Sequence, residues 1–276
     1  MPHSIDWRMP RADVASQLSA CLAVTALLAA PLRAQAPLAG GLAGRWIEVN
    51  ALAQSVTNGY GDWQGLYVRG VRPSVRDTWY VDALALRAFE ESGMQLGVAQ
   101  RHDWNGRVFQ MLGASAGSGA AIMPRARLDG ALGVRLGASR RWQATGGVSY
   151  VKSVTELSDL AGTVTLAWYA PHAVMIEVGG RFNNSRPGSI RSQRVSTVAV
   201  WTPSPKRTFS VRGIGGSEGW QVVRSGTTLQ RFRSQEVAFA WREKLTSLVA
   251  ISAQGDWYHN PFYTRSGVTL GVARYW

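Results

Sequence analysis

Apolar and polar side chains alternate along segments of about ten residues through most of the chain, and this pattern constrains the fold more than any other feature. In residues 126–136, branched apolar residues occupy one set of alternate positions, and the charged residues Arg127, Asp129 and Arg135 occupy the other. Residues 173–182 and 245–257 are segregated in the same way. A helical period would mix the two sets, whereas alternation is typical of strands whose two faces meet different surroundings.

Turn-forming residues separate these segments and divide the chain into fourteen predicted strands. Pro171, Pro203 and Pro205 mark strand ends, because proline donates no hydrogen bond to a sheet ladder. We therefore predict an all-β fold, a single antiparallel up-and-down transmembrane β-barrel of about 12–14 strands. The predicted strands are 45–56, 62–72, 78–90, 94–104, 107–117, 124–137, 141–152, 157–169, 172–182, 191–202, 206–215, 231–242, 245–257 and 266–276.

Residues 1–36 are organised like a secretory signal peptide. Arg8 and Arg11 precede an apolar stretch at 18–32, and an Ala-x-Ala cleavage signal ends at Ala36. Beyond it, no apolar run is long enough for a membrane-spanning helix. The predicted organisation is thus a signal peptide at 1–36, a short N-terminal segment at 37–44 and a barrel at 45–276, located in the cell outer membrane.

Seven tryptophans are predicted to lie at one membrane boundary. If the last strand ends in the periplasm, every second connection counted backwards from it is periplasmic, near residues 244, 204, 171, 139, 105 and 75. Indole rings collect at the membrane–water interface. The same count makes 183–190, 215–230 and 258–265 longer outward loops. The predicted interface residues are Trp79, Trp104, Trp142, Trp168, Trp201, Trp241 and Trp276.

The inward positions carry equal numbers of acidic and basic residues. A barrel of fourteen strands is too wide for side chains alone to fill. The charges either pair across the interior and hold the barrel in shape, which we favour, or form a mixed-charge constriction that filters solutes. The predicted lumen charges are Glu48, Arg127, Asp129, Arg135, Glu177, Arg181, Glu236 and Arg242.

The sequence offers little for catalysis. Its one cysteine, Cys21, lies in the predicted leader, so the processed chain would have no thiol nucleophile and no disulfide. A serine hydrolase of the outer leaflet needs a histidine base at the outward rim, and His259 is the one candidate. No spacing links His259 to Ser217 or Ser266. We predict no enzymatic activity, no catalytic residues, no metal and no cofactor, with lipid hydrolysis kept as an alternative.

The chain is basic, with a formal net charge of +13, and all but three of its basic residues are arginine. A basic chain can bind nucleic acid, but an exported one meets little of it, so no nucleic-acid partner is expected. Arginine binds phosphate and carboxylate in a bidentate manner. The expected partners are outer-membrane lipids, lipopolysaccharide, acidic glycan and the barrel-insertion machinery, although a codon bias toward arginine explains the composition equally well.

The connection after the first predicted strand, Thr57-Asn58-Gly59-Tyr60-Gly61-Asp62-Trp63, resembles the YaiO family of outer-membrane β-barrels. The closing segment at 260–271 is similar to that family too, and the resemblance spans residues 44–276. It implies an outer-membrane barrel and brings no catalytic residues. Some relatives resemble the barrel ends of exopolysaccharide exporters, in which helical repeats precede the barrel. Only 37–44 stands in that place here, which argues against an exporter.

These observations favour a non-catalytic outer-membrane barrel that is structural or forms a pore for small solutes. The first alternative is an accessory barrel in exopolysaccharide export or surface glycan assembly. The second is an outer-membrane lipid hydrolase that uses His259.

The closing strand departs in one position from the usual insertion signal of outer-membrane barrels, in which apolar residues alternate up to a terminal aromatic residue. Val268, Leu270, Val272 and Trp276 fit it, whereas Arg274 does not.

Overall fold

A computed structural model describes residues 17–18, 38–39, 44–118, 122–153, 156–219, 221–223, 226–228 and 231–276. Most of the predicted signal peptide and of the 37–44 segment lies outside the described residues, and both remain predictions. Gln17–Leu18 pairs with Leu38–Ala39 as two short antiparallel strands. In the part that is described, no helix is both long and apolar enough to cross a membrane.

Fourteen antiparallel strands form a closed barrel, as the alternation predicts. Each strand pairs with its neighbours in the sequence, and the ladder from Tyr275 opposite Trp46 to Arg265 opposite Val56 joins the last strand to the first. The strands are β1 (Trp46–Val56), β2 (Trp63–Pro73), β3 (Asp77–Ala88), β4 (Glu91–Asp103), β5 (Val108–Gly117), β6 (Pro124–Leu136), β7 (Trp142–Ser153), β8 (Ser158–Ala170), β9 (Val174–Arg186), β10 (Ile190–Ser204), β11 (Arg207–Glu218), β12 (Phe232–Lys244), β13 (Val249–His259) and β14 (Thr264–Tyr275).

The alternation of the sequence becomes an alternation of burial. Along β1, every even-numbered residue is buried inside the barrel and every odd-numbered residue is exposed outside it. The exposed outer face is apolar, with Leu96 62%, Val148 64% and Leu270 61% accessible. A soluble protein would cover such side chains, whereas a membrane leaves them in hydrocarbon. Because the closed ring pairs its backbone groups between strands, it also satisfies the backbone within the bilayer.

The connections define two ends of the barrel. Short connections at 74–76, 104–107, 137–141, 171–173, 205–206 and 245–248 lie at what we call the turn end, together with the start of β1 and the end of β14. The other seven connections lie at the loop end, where the segment between β11 and β12 contains a short hairpin of Gln221–Val223 with Gly226–Thr228. That the loop end faces outward remains a prediction from the topology.

The extent predicted for the outward loops is wrong, because the strands continue further toward the loop end. β9 runs to Arg186 and β10 begins at Ile190, so the predicted 183–190 loop reduces to 187–189. Ser185 still pairs with Ile190. The predicted loops at 215–230 and 258–265 likewise become 219–231 and 260–263. The prediction ended each strand where the apolar alternation ended, but backbone pairing continues above the hydrocarbon with polar side chains.

The start of β13 is a second correction. The predicted strand 245–257 begins too early, because residues 245–248 form the turn between β12 and β13. The Thr246 hydroxyl accepts hydrogen bonds from the backbone N–H groups of Leu248 at 3.1 Å and Val249 at 3.0 Å. This side-chain capping of the backbone favours a turn where apolar composition suggested a strand.

The position of Leu270 near the middle of β14 gives a test of the lipid-facing surface. Leu270→Arg should lower the free energy of unfolding by about 2–4 kcal/mol, because an arginine at the bilayer midplane loses its hydration. The measurement is urea unfolding of the barrel in phospholipid vesicles. Arg274→Leu, on the same face but near the strand end, is the matched control and should change stability by about 1 kcal/mol or less. Equal effects at the two positions would contradict the assigned membrane span.

Candidate functional site: the barrel lumen

The eight charged residues predicted for the lumen occupy inward positions on their strands. Four are almost completely buried, namely Glu48, Arg127, Glu236 and Arg242. The other four are partly exposed, namely Asp129, Arg135, Glu177 and Arg181. Whether these charges hold the barrel in shape or filter solutes depends on the groups that each side chain contacts.

Two pairs form within the predicted set. On β6, the Arg127 guanidinium donates to the Asp129 carboxylate two positions along the same strand, with 2.5 Å between Nε and Oδ2. Arg242 on β12 lies 3.5 Å from Glu48 on β1, and Ser252 on β13 donates to the same carboxylate at 3.1 Å. The Glu48 cluster therefore links the first strand of the barrel to the last strands, beside the seam where the barrel closes.

Other residues of the set bind partners outside it. Arg181 donates to the Ser149 hydroxyl at 3.2 Å, and Arg135 lies 3.1 Å from Asp103 near the turn end. Arg101 pairs with the same Asp103 at 3.1 Å and stacks 3.9 Å from the ring centre of Phe109. A cation held over an aromatic face in this way is stabilised by the ring quadrupole.

A larger lumen cluster joins β10, β11, β12 and β13. Glu236 accepts a hydrogen bond from Arg212 and lies 3.5 Å from Arg194. Arg194 also lies 3.6 Å from Glu218, which accepts a hydrogen bond from the Tyr258 hydroxyl at 3.1 Å. Of these residues, Glu236 alone was predicted from the sequence as a lumen charge. Buried charges of opposite sign compensate one another here, as buried ionic groups must.

A further buried pair was not predicted from the sequence. Arg69 on β2 donates to Asp82 on β3 through Nε at 2.6 Å and Nη2 at 3.2 Å. The Tyr67 hydroxyl donates to the same carboxylate at 2.5 Å. β2 carries apolar residues on both faces, with Tyr67 and Val71 buried inside and Leu66 exposed outside. The sequence therefore did not show which residues of β2 face the lumen. The arginine that alternates with Tyr67 and Val71 could have indicated an inward charge.

An aromatic and aliphatic cluster fills the loop end of the lumen along β1, β2, β3 and β13 and the connections beside them. Trp63 is 1% exposed and packs 4.9 Å from the ring of Phe89 and 6.2 Å from that of Tyr263. Burial raises the pKa of the Tyr263 phenol to about 12. Ile122 and Met123, from the connection between β5 and β6, are also buried in this cluster. The lumen is thus partly closed at this end by side chains of its own wall.

The opposite wall is different, because many of its inward residues remain partly accessible. These residues form a continuous strip near the middle of β5 to β9, where Ala131 pairs with Gly147, Gly147 with Thr163, and Thr165 with Gly179. Inward residues at the same level on β1 and β12 are buried. We call this surface the open strip. Its accessible members are Gly113, Ser115, Asp129, Ala131, Thr145, Gly147, Thr163, Thr165, Glu177 and Arg181.

The seven predicted interface tryptophans all lie at the turn end. Trp142 pairs with Trp168 across β7 and β8, and their rings stack at 5.9 Å. Trp201 stacks on Phe209 at 5.6 Å. Six are exposed on the outside, and Trp241 is half-buried. Two described tryptophans lie near the loop end instead: Trp257 is exposed, whereas Trp63 faces the lumen. A role at the membrane boundary remains a prediction.

The described residues bring no serine and acid to His259. Its Nδ1 lies 2.9 Å from the Thr264 hydroxyl, and its ring stacks on Trp257 at 5.9 Å. His259 is on the exposed outer face, whereas Ser217 is buried and hydrogen-bonded to the backbone of Gln193. Among the residues described, no group of three or more potential metal ligands comes together.

Closed strands with an apolar exterior and a charged interior define the chain as an outer-membrane β-barrel. Residues 45–219 match the family model described as the YaiO membrane beta barrel domain. The chain therefore belongs to the YaiO family, and the resemblance seen in the sequence is confirmed. A comparison with curated proteins gives no match.

Solved structures with a similar fold include two channels and a polysaccharide secretin. The "Bacterial polysaccharide outer membrane secretin" aligns with a TM-score of 0.55 and 7% identity, covering 86% of this chain and 98% of that one. The "COG4313 outer membrane channel from Pseudomonas putida F1" gives 0.52 and 10%, covering 84% and 96%. The "CymD monoaromatic hydrocarbon channel" gives 0.54 and 6%, covering 84% and 88%. At these identities the likeness shows the fold alone.

The Arg69–Asp82 pair gives a test of how far lumen charges stabilise the barrel. Asp82→Asn should lower the free energy of unfolding by about 3–5 kcal/mol, because Arg69 would remain buried without its counter-ion. The double variant Arg69→Met with Asp82→Leu should recover most of this loss. The readout is urea unfolding in vesicles.

The control is the exposed pair of Arg207 and Glu243 at the turn end, where Arg207 is 50% exposed. Glu243→Gln should leave stability essentially unchanged, because solvent screens a surface pair. A wild-type-like Asp82→Asn barrel would contradict a structural role for the lumen charges.

Proposed function

We propose that this barrel is a non-catalytic pore for small polar solutes, with its passage along the open strip rather than on the barrel axis. The observation that carries the proposal is the contrast between the two walls of the lumen. Near the middle of β5 to β9, many inward residues remain partly accessible and most of these are small, whereas the inward residues of β10 to β14, β1 and β2 are mostly buried. Solutes would therefore pass beside the strip.

Tight strand contacts preserve the space above the strip. A Cβ added at Gly147 would lie 3.1 Å from both the Ala131 Cβ and the Thr163 hydroxyl, and one added at Gly179 would lie 2.9 Å from Thr165. Small residues at these positions let neighbouring side chains lie flat against the wall. This arrangement supports a passage bounded by hydroxyl groups and backbone, which suits hydrated polar solutes.

Charges of both signs border the strip, with Asp129, Glu177 and Arg181 among its accessible members. A constriction lined by one sign of charge selects ions of the other sign. Mixed charges instead favour weak ion selectivity. We infer that the solutes are small and polar and are admitted mainly by size.

The aromatic cluster at the loop end favours small solutes over a polymer. Trp63, Phe89 and Tyr263 pack edge to face within about one ring diameter of one another and occupy lumen space that a glycan chain would need. Passage of a polysaccharide, for which the similar secretin is named, would require this cluster to move. Likewise, the contacts of His259 with Thr264 and Trp257 give no support to lipid hydrolysis.

The pore proposal predicts discrete conductance steps when the purified barrel is added to planar lipid bilayers. The barrel segment contains no cysteine, so a single introduced thiol reports its own surroundings. Thr165→Cys in the open strip should react with a charged methanethiosulfonate reagent, and the reaction should reduce the conductance. The physical reason is that only a hydrated thiol ionises and reacts.

Ala240→Cys is the matched control, because Ala240 is also small and inward-facing but lies 4% exposed on the opposite wall. It should resist the reagent and keep its conductance. A silent wild-type bilayer would overturn the pore and leave a structural role. Equal modification of the two cysteines would overturn the off-centre passage while leaving the pore.

A further inference from the structure

Three arginines project outward from the loop end of neighbouring strands, on the face that lower down meets lipid. Arg186 ends β9, Arg191 lies at the start of β10, and Arg233 lies at the start of β12; all three are exposed. We call these three residues the arginine rim. They are distinct from the lumen charges, because they occupy the outward parity of their strands.

On each of the three strands, the outward residues change toward the loop end from an apolar residue to an amide and then to the rim arginine. On β9 the outward residues in order are Phe182, Asn184 and Arg186. On β10 the corresponding residues are Val195, Gln193 and Arg191, and on β12 they are Val237, Gln235 and Arg233. The apolar members are strongly exposed, at 60%, 60% and 50%. An apolar residue, an amide and then a guanidinium match the order of acyl chain, polar linkage and phosphate in a lipid leaflet.

The strand register places the rim on one sector of the barrel. Asn184 pairs with Arg191, so Arg186 and Arg191 lie on adjacent strands within two residues of the same level. Ser217 of β11 pairs with Arg233, and Gly216 pairs with both Arg194 and Ser234. Arg233 is therefore two strands from Arg191, or about 10 Å, at a similar height.

The rim lacks carboxylate partners. No ion pair joins Arg186, Arg191 or Arg233 to any residue that the structure describes. The nearby acids of β11 and β12, Glu218 and Glu236, face the lumen, where they bind Arg194 and Arg212. Three guanidinium groups thus remain available to an anion outside the barrel, and each can bind phosphate with two parallel hydrogen bonds.

The two ends of the outer surface also differ from each other. Seven tryptophans lie around the turn end, whereas this sector of the loop end carries amides and arginines. Tryptophan suits a phospholipid interface. Exposed arginines also lie at the turn end, such as Arg72, Arg141 and Arg274, so arginine by itself does not distinguish the two boundaries. In the predicted orientation, the loop end faces the outer leaflet, which carries lipopolysaccharide.

We propose that the arginine rim binds the phosphate groups of lipid A on β9 to β12, with Asn184, Gln193 and Gln235 binding the polar linkages below them. The proposal rests on the predicted orientation, in which the loop end faces outward, and it is independent of whether the lumen conducts. Lipid A that is held on one sector would orient neighbouring lipopolysaccharide around the barrel.

The test compares lipid binding by the full barrel and by two triple variants in detergent micelles, using native mass spectrometry. The rim variant carries Arg186→Gln, Arg191→Gln and Arg233→Gln. The control variant carries Arg72→Gln, Arg141→Gln and Arg274→Gln, which remove the same charge from exposed positions near the turn end. Heat-modifiable gel mobility verifies that each variant is folded.

The rim variant should bind bisphosphorylated lipid A at least about tenfold more weakly than the wild type, since each basic group near an anionic lipid surface contributes to binding. The control variant should retain wild-type affinity. Phosphatidylglycerol, the alternative source of lipid phosphate, should bind all three proteins equally weakly. Equal losses in the two variants, an equal loss for phosphatidylglycerol, or no loss at all would overturn the proposal.

Discussion

Pairing of the last strand with the first is the interaction on which the rest of this structure depends. Eleven residue pairs, from Tyr275 opposite Trp46 to Arg265 opposite Val56, join β14 to β1. Without them, two strand edges would expose unpaired N–H and C=O groups to hydrocarbon, where water is absent and each unsatisfied group costs several kcal/mol. Closure also fixes which side chains point inward, because successive residues of a strand face opposite sides. The apolar exterior and the charged lumen are therefore two consequences of one constraint.

The lumen combines two uses of its inward positions. On one wall, long arginines, carboxylates and aromatic rings fill the interior, as in the cluster of Arg194, Arg212 and Glu236 and the packing of Trp63 against Phe89. On the other wall, residues such as Ala131, Gly147 and Thr165 leave space. A ring of fourteen strands is wide enough for both, which a narrower ring would not be. This division is compatible with both the structural and the pore-forming hypothesis. The two hypotheses differ in whether solutes pass along the open strip.

The sequence predicted the architecture well because lipid imposes a strict period on the outward residues. Strands such as β6 and β9, with branched apolar residues on one parity and charges on the other, left no ambiguity. The period failed above the hydrocarbon, where Asn184 and Ser185 continue β9 without apolar neighbours. The pattern also gave no prediction of the inward face of β2, because apolar residues such as Tyr67 and Leu66 lie on both of its faces. The inward charge of Arg69 was therefore not predicted. Partners across the lumen could not be predicted, since the distance between Glu48 and Arg242 depends on curvature and closure.

A disulfide across the seam tests the closed ring most directly. Val49 and Val272 pair directly on β1 and β14, and both face outward. Cα atoms of opposed antiparallel residues lie within the range that a disulfide spans. A barrel with Val49→Cys and Val272→Cys should form an intramolecular disulfide on oxidation, seen as a mobility shift on non-reducing gels. Val49→Cys with Leu166→Cys, on the far side of the ring, should not. Absence of the Val49–Val272 disulfide in the folded barrel, or equal cross-linking of both pairs, would contradict the closed ring.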